Sequence, residues 1–212
     1  MKTIHKAGLA ATLLAASSVA NAGWSANLGF ASDYYFRGIF QKSASASGGI
    51  DYESSNGFYV GTWVADVGGD IAGDGLEVDV YGGWGGSTGD FSYGVGFTGY
   101  YYTGEFDDTY QEVNLSFGYS WLTIDAAIGE YDASPDTLDY QFYSATIAHN
   151  GFWAQYGTFQ DDFEGDYVQF GYDVTLTEAE IDFGVSLLLT DDNAVGENEE
   201  ALILTIGKSF DL

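Results

Sequence analysis

From Trp24 to the C-terminus, apolar residues alternate one for one with small or polar residues in segment after segment. Leu76, Val78, Val80, Gly82 and Trp84 interleave with Glu77, Asp79, Tyr81 and Gly83. Phe91, Tyr93, Val95 and Phe97 interleave with Ser92, Gly94, Gly96 and Thr98, and Val168, Phe170, Tyr172 and Val174 with Gln169, Gly171 and Asp173. Successive strand side chains point to opposite faces, so a period of two makes a sheet with one apolar and one polar face. No stretch beyond residue 22 holds the roughly 18 consecutive apolar residues of a membrane-crossing helix. The runs predict about twelve strands, near 24–32, 45–53, 57–65, 76–85, 91–102, 110–119, 122–130, 139–148, 152–160, 166–175, 179–189 and 201–212.

The connections carry as much information as the strands. Links near 54–56, 86–90, 120–121, 149–151 and 176–178 are short, whereas those near 33–44, 66–75, 103–109, 131–138, 161–165 and 190–200 are longer. Alternating short turns and long loops are the pattern of an all-β, transmembrane antiparallel β-barrel. An even strand number then places both termini on the periplasmic side. A soluble lipocalin-like barrel shares the alternation but turns its apolar face inward. Three features favour the membrane. The non-apolar face is small (Gly, Ser, Thr, Asn), as a lumen requires. Aromatics crowd the strand ends: Trp24, Tyr52, Phe58, Trp84, Phe91, Trp121 and Phe152 near the short turns, and Tyr34, Tyr35, Tyr100, Tyr131 and Tyr140 near the long loops. These are expected to form two interfacial girdles. The last strand carries Leu204, Ile206, Phe210 and Leu212 on one face to its end.

Residues 1–22 read as a secretory signal peptide. Lys2 and Lys6 form a basic start, Ala7–Ala16 an apolar run, and Ala20-Asn21-Ala22 a small-x-small cleavage site. The barrel is then residues 23–212 and the expected location is the outer membrane. Only Arg37, Lys42 and Lys208 remain as bases against 32 acids. That balance excludes electrostatic nucleic-acid binding, which needs clustered Lys and Arg. The absence of Cys excludes disulfides and thiolate zinc sites.

Ser32-Asp33-Tyr34-Tyr35-Phe36-Arg37-Gly38 is followed by Gly49-Ile50-Asp51-Tyr52 and by Gly57-Phe58-Tyr59-Val60-Gly61-Thr62-Trp63. Glu77-x-Asp79-x-Tyr81-x-Gly83 and Tyr100-Tyr101-Tyr102 come next. This ordered set resembles the TorF family of porin-like proteobacterial outer-membrane proteins, most sharply over residues 24–120. The family's Pro-Gly after the Tyr run is replaced here by Thr103-Gly104. The resemblance implies a channel-type barrel and supplies no catalytic motif.

Candidate chemistry is sparse. Gly94-x-Gly96-x-x-Gly99 matches a dinucleotide fingerprint, but that motif works only where a strand enters a helix, and this run is all strand. A serine hydrolase needs a positioned base. The one His beyond the leader, His149, sits in the hairpin signal His149-Asn150-Gly151. No enzyme is expected. Arg37, Glu77, Asp79, Tyr81, Glu112, Asn114 and Asp125 fall on polar strand faces or beside them and are the candidate lumen-lining residues. More than half of the acids fall in the longer loops. Among these, Asp66, Asp70 and Asp74 on a Gly-rich loop are a candidate Ca²⁺ site, since Ca²⁺ takes carboxylate and carbonyl oxygens on pliable backbone. Ca²⁺ or Mg²⁺ could likewise bridge loop acids to the phosphates of outer-membrane lipid and lipopolysaccharide. The expected function is a porin-like channel with a narrow lumen, passing small solutes or ions passively and preferring cations. The alternative is a non-conducting barrel acting as receptor, adhesin or structural protein, with an outer-membrane enzyme a more distant third.

Overall fold

The computed structural model describes residues 22–68, 73–133, 135–191 and 199–212. Residues 1–21 of the expected signal peptide (1–22), Asp70, and residues 192–198 of the last long loop lie outside the described residues. Twelve strands follow in order: β1 (Gly23–Phe36), β2 (Ile39–Glu53), β3 (Phe58–Val67), β4 (Gly75–Thr88), β5 (Phe91–Tyr102), β6 (Tyr110–Tyr119), β7 (Leu122–Tyr131), β8 (Leu138–His149), β9 (Phe152–Asp161), β10 (Asp166–Leu176), β11 (Ile181–Thr190) and β12 (Glu199–Asp211). Each pairs antiparallel with its sequence neighbours, and β1 closes the ring on β12 from Ser25↔Asp211 to Ala31↔Thr205. Over the stretch where β1 meets β12, closure leaves no open sheet edge, which is what allows strands to sit in hydrocarbon.

The alternation is resolved with its apolar side outward. Leu28, Val80, Val95, Phe97, Leu115, Ile128 and Leu204 are all exposed around the barrel wall, while Glu77, Asp79, Thr98, Glu112 and Ser144 are buried inside. A soluble barrel is built the other way round, and soluble monomers rarely expose a contiguous apolar surface of this kind. At the end bearing both termini, Trp24–Tyr52, Phe91–Tyr119 and Phe152–Tyr172 form ring pairs with centroids 5.2, 4.6 and 4.7 Å apart. They make an aromatic rim on the lipid side.

Two expectations fail in the same region. The second girdle is not built from Tyr34, Tyr100 and Tyr140: their side chains are buried inside the barrel. Tyr100 shares a face with Thr98 and Tyr140 with Ser144, so parity turns both rings to the lumen, whereas Tyr101 between two inward tyrosines faces out. Tyr35 and Tyr131 pack against the same interior cluster. Nor is 33–44 a long loop. β1 and β2 run on as a hairpin closed by the two residues Arg37 and Gly38, at φ 51° and 88°. Two consecutive positive φ values define a type I′ turn, whose twist matches that of the strands it joins. The sequence of this stretch lacks lipid-facing alternation because it does not face lipid.

The hairpin leaves the wall. β1 has no partner on β12 beyond Ala31, and β2 meets β3 only from Ser47 onward, so residues 32–45 pair chiefly with each other. A register shift at Tyr34/Tyr35 and a left-handed Ala44 (φ 57°) mark the bend. Beyond it the hairpin folds into the lumen, where Tyr35 and Ile39 pack on a buried cluster of Tyr140, Phe142, Phe159, Tyr167, Leu188 and Ile203. This interior core occupies the half of the barrel remote from the termini.

Candidate functional site

Inside the half nearer the termini lies a cavity of about 1020 Å³. Asp33, Asp51, Glu53, Asp79, Asp173 and Asp182 are among its lining groups, with Ser, Thr and Asn between them. Tyr59, Tyr81, Trp63 and Trp153 supply its aromatic surface. Several of these rings lie flat over glycine on the next strand. Tyr81 pairs across from Gly61 and Trp153 from Gly171, and a Cβ on either glycine would come within 2.7 Å of the ring. These lumen glycines therefore make room for aromatic side chains along the wall, which also explains Gly96, beside the Tyr59 ring, without any nucleotide. Lys208 has the outward parity of Leu204, Ile206 and Phe210; its Nζ donates to the Ala179 carbonyl at 2.8 Å and stands 5.5 Å from the Phe210 ring centre.

The cavity ends at the folded-in hairpin. Arg37, at its tip, crosses to β6, five strands away along the ring, and makes a bidentate pair with Glu112. Nη1 reaches Oε2 at 2.8 Å and Nη2 reaches Oε1 at 2.6 Å. Glu112 is fully enclosed and accepts three more hydrogen bonds, from Tyr100 Oη (2.8 Å), Asn114 Nδ2 (2.6 Å) and Tyr140 Oη (2.7 Å). Asn114 in turn accepts from Thr98 Oγ1 at 2.8 Å. The guanidinium carbon stands 4.3 Å from the Phe142 ring centre and 4.8 Å from that of Phe36. A buried ion pair with every lone pair occupied and an aromatic face on the cation is the arrangement that repays desolvation. A void of only about 70 Å³ remains beside it, bordered by Asp125, Ser144, Gln155 and Tyr167.

A second contact set holds the hairpin's other flank. Tyr34 Oη donates to Glu77 Oε1 at 2.8 Å, and Lys42 Nζ lies 3.2 Å from Asp66 and 3.1 Å from Asp74. Gly68 N donates to the Gln41 carbonyl at 3.2 Å. Glu77 Oε2 and Asp79 Oδ1 are buried without a hydrogen-bond partner, two residues apart on the lumen face of β4. Tyr81, next on that face, donates to Asp51 at 2.5 Å.

The structure thus puts Arg37, Glu112 and Asn114 in direct contact, Glu77 and Asp79 under the hairpin, Tyr81 on the cavity wall, and Asp125 beside the void. Of the proposed Ca²⁺ ligands, Asp66 and Asp74 share Lys42, and Asp70 is outside the described residues. Sequence reasoning missed Tyr100, Tyr140, Phe142 and Tyr167. Their parity with Thr98, Ser144 and Gln169 was the available signal. His149 ends β8 beside the turn Asn150-Gly151, whose φ values of 51° and 85° are those of a hairpin turn.

In shape the chain is similar to solved outer-membrane channels. Against the KdgM porin in complex with disordered oligogalacturonate, the TM-score is 0.59 at 10% identity, covering 88% of this chain and 99% of that one. The COG4313 outer membrane channel from Pseudomonas putida F1 gives 0.55 at 10%, with 92% and 97% covered. The NanC porin gives 0.54 at 13%, with 90% and 100% covered. At such identities the likeness is one of fold. No curated protein matches the chain in sequence. A protein-family model described as "Bacterial protein of unknown function (Gcw_chp)" matches residues 15–182, under a name other than TorF, and the chain belongs to that family.

Proposed function

We propose that this barrel is an outer-membrane channel for passive passage of small solutes and ions, cation-preferring, with the termini periplasmic and the hairpin end outward. The observation that carries the reading is a closed barrel with an apolar exterior around a carboxylate-lined interior cavity. Acidic walls in a confined, low-dielectric lumen concentrate cations and repel anions. The KdgM porin is described with oligogalacturonate, an acidic oligosaccharide. The acids here disfavour such a solute. Twelve strands stand between side-chain-filled eight-stranded barrels and the aqueous channels of sixteen-stranded porins, in keeping with a narrow lumen. One observation favours a second reading, a non-conducting receptor, adhesin or structural barrel: the hairpin and the aromatic cluster fill one end of the lumen. The reversal potential across a KCl gradient in planar bilayers separates the two. A channel of this kind gives discrete conductance steps with cation selectivity, reduced by Asp51→Asn with Asp173→Asn. Absence of steps in wild type and in hairpin-released variants supports the second reading, and anion selectivity contradicts the first.

A further inference from the structure

Glu112 with its surroundings has the composition of a receptor for a planar cation. Tyr100, Asn114 and Tyr140 donate to its carboxylate and fix its plane, and the lumen-facing edge takes two parallel N–H bonds. Phe142 lies 4.3 Å from the guanidinium carbon. Every one of these wall groups belongs to β5, β6 or β8, so the site persists when the hairpin withdraws. Its occupant, Arg37, comes from a hairpin whose two strands both leave their wall partners. Arg37 itself stands at a left-handed turn, tethered 75 residues away in sequence.

We propose that this pocket is a binding site for solutes bearing a guanidinium or amidinium group, and that the chain's own Arg37 fills it until such a solute takes its place. The inference rests on the reading of the interior as a solute path. A free guanidinium can satisfy the same two carboxylate oxygens and the same ring, whereas an ammonium, a compact point charge, lacks the planar fork. Na⁺ and K⁺ offer neither donors nor a stacking plane. Exchange of occupant couples binding to movement of the hairpin: the solute releases Arg37, the hairpin loses its tie to β6, and the lumen opens to the bound molecule. The site would thus select its solute and gate its entry by one contact. Only ligands that distinguish the two hairpin positions can shift their populations, and a guanidinium does so by competing for Glu112.

The test uses the full barrel in detergent, with methylguanidinium as probe and NaCl and methylammonium as controls at equal millimolar concentrations. The chain has no Cys, so Ile39→Cys, packed against the interior cluster, supplies a single thiol on the hairpin. Methylguanidinium is expected to raise its rate of modification by a polar maleimide about tenfold and saturably, with neither control matching it. Adding Glu112→Gln is expected to leave labelling fast and insensitive to the probe. Calorimetry gives a second measure: Arg37→Ala should bind methylguanidinium saturably and Arg37→Ala with Glu112→Gln should not. Labelling that stays at the NaCl rate overturns the proposal, even if Arg37→Ala binds the probe, since a vacated hole would then be the whole effect. Equal acceleration by methylammonium, or no binding to Arg37→Ala, overturns it as well. Neither readout depends on ion flow, so failure of the channel reading shows separately as absent conductance.

Discussion

Replacing Arg37 with Ala tests how firmly the lumen is closed. In wild type the Glu112 charge is enclosed and answered by a bidentate guanidinium 2.6 and 2.8 Å away. Lys42 is engaged with Asp66 and Asp74 on another wall. Removing one partner of such a buried pair costs about 3–5 kcal/mol, because the remaining charge is stranded. The loss of two cation–π contacts adds about 0.5–2 kcal/mol each when they are desolvated. The hairpin, however, pairs mainly with itself beyond Ala31, so it can withdraw and let water reach Glu112 without unfolding the wall. The penalty then appears as a shift between hairpin positions. Taking the lower figure of ~3 kcal/mol, and about 1.4 kcal/mol per tenfold, the open fraction rises on the order of a hundredfold. Arg37→Lys, which keeps charge but loses the fork, should fall between wild type and Ala. The assay is open-state occupancy in single-channel recordings, with heat-modifiable gel mobility as the check that the barrel remains folded. Wild-type occupancy in a folded Arg37→Ala barrel would refute the reasoning.

Other consequences follow from specific contacts. Gly129→Ala places a Cβ within 2.6 Å of the Tyr140 ring and of the Gln111 carbonyl, and this overpacking should destabilise by about 1–3 kcal/mol in urea titrations. Val80→Arg, on the lipid face at 49% exposure, should cost about 2–4 kcal/mol if it sits near the bilayer midplane, whereas a soluble protein would tolerate it. Lys42→Met removes the ammonium shared by Asp66 and Asp74. Millimolar Ca²⁺ should then raise the melting temperature more in the variant than in wild type, and an equal response in both would dismiss those carboxylates as a divalent site.

Strand number and pairing were legible because a barrel wall asks one simple thing of its sequence, apolar outward at every second position. Leu76 to Trp84 and Val168 to Val174 obey it and lie where they were expected. Glu77, Asp79 and Glu112 occupy the opposite parity and are buried. What alternation cannot encode is a segment that leaves the wall. Residues 33–44 answer to the lumen interior and not to lipid, so their pattern reads as a loop although they are strand. The partnership of Arg37 with Glu112 spans 75 residues and arises from barrel closure, which brings β6 opposite the hairpin tip. The aromatics at the far end were misassigned because richness in tyrosine near a strand end fits a girdle and an interior core equally well. Only register separates Tyr101, facing out, from Tyr100, facing in.

The most direct test of a cation-preferring conduit is solute entry into liposomes carrying the purified barrel. Matched pairs of equal size, such as a short alkylammonium and the corresponding carboxylate, report charge preference without reference to conductance. Wild type is expected to admit the cation slowly and the anion more slowly still. Arg37→Ala should speed the cation far more than the anion, because the lumen acids remain when the hairpin lets go. Equal entry of both solutes, or faster entry of the anion, in liposomes where the barrel is folded would contradict the account.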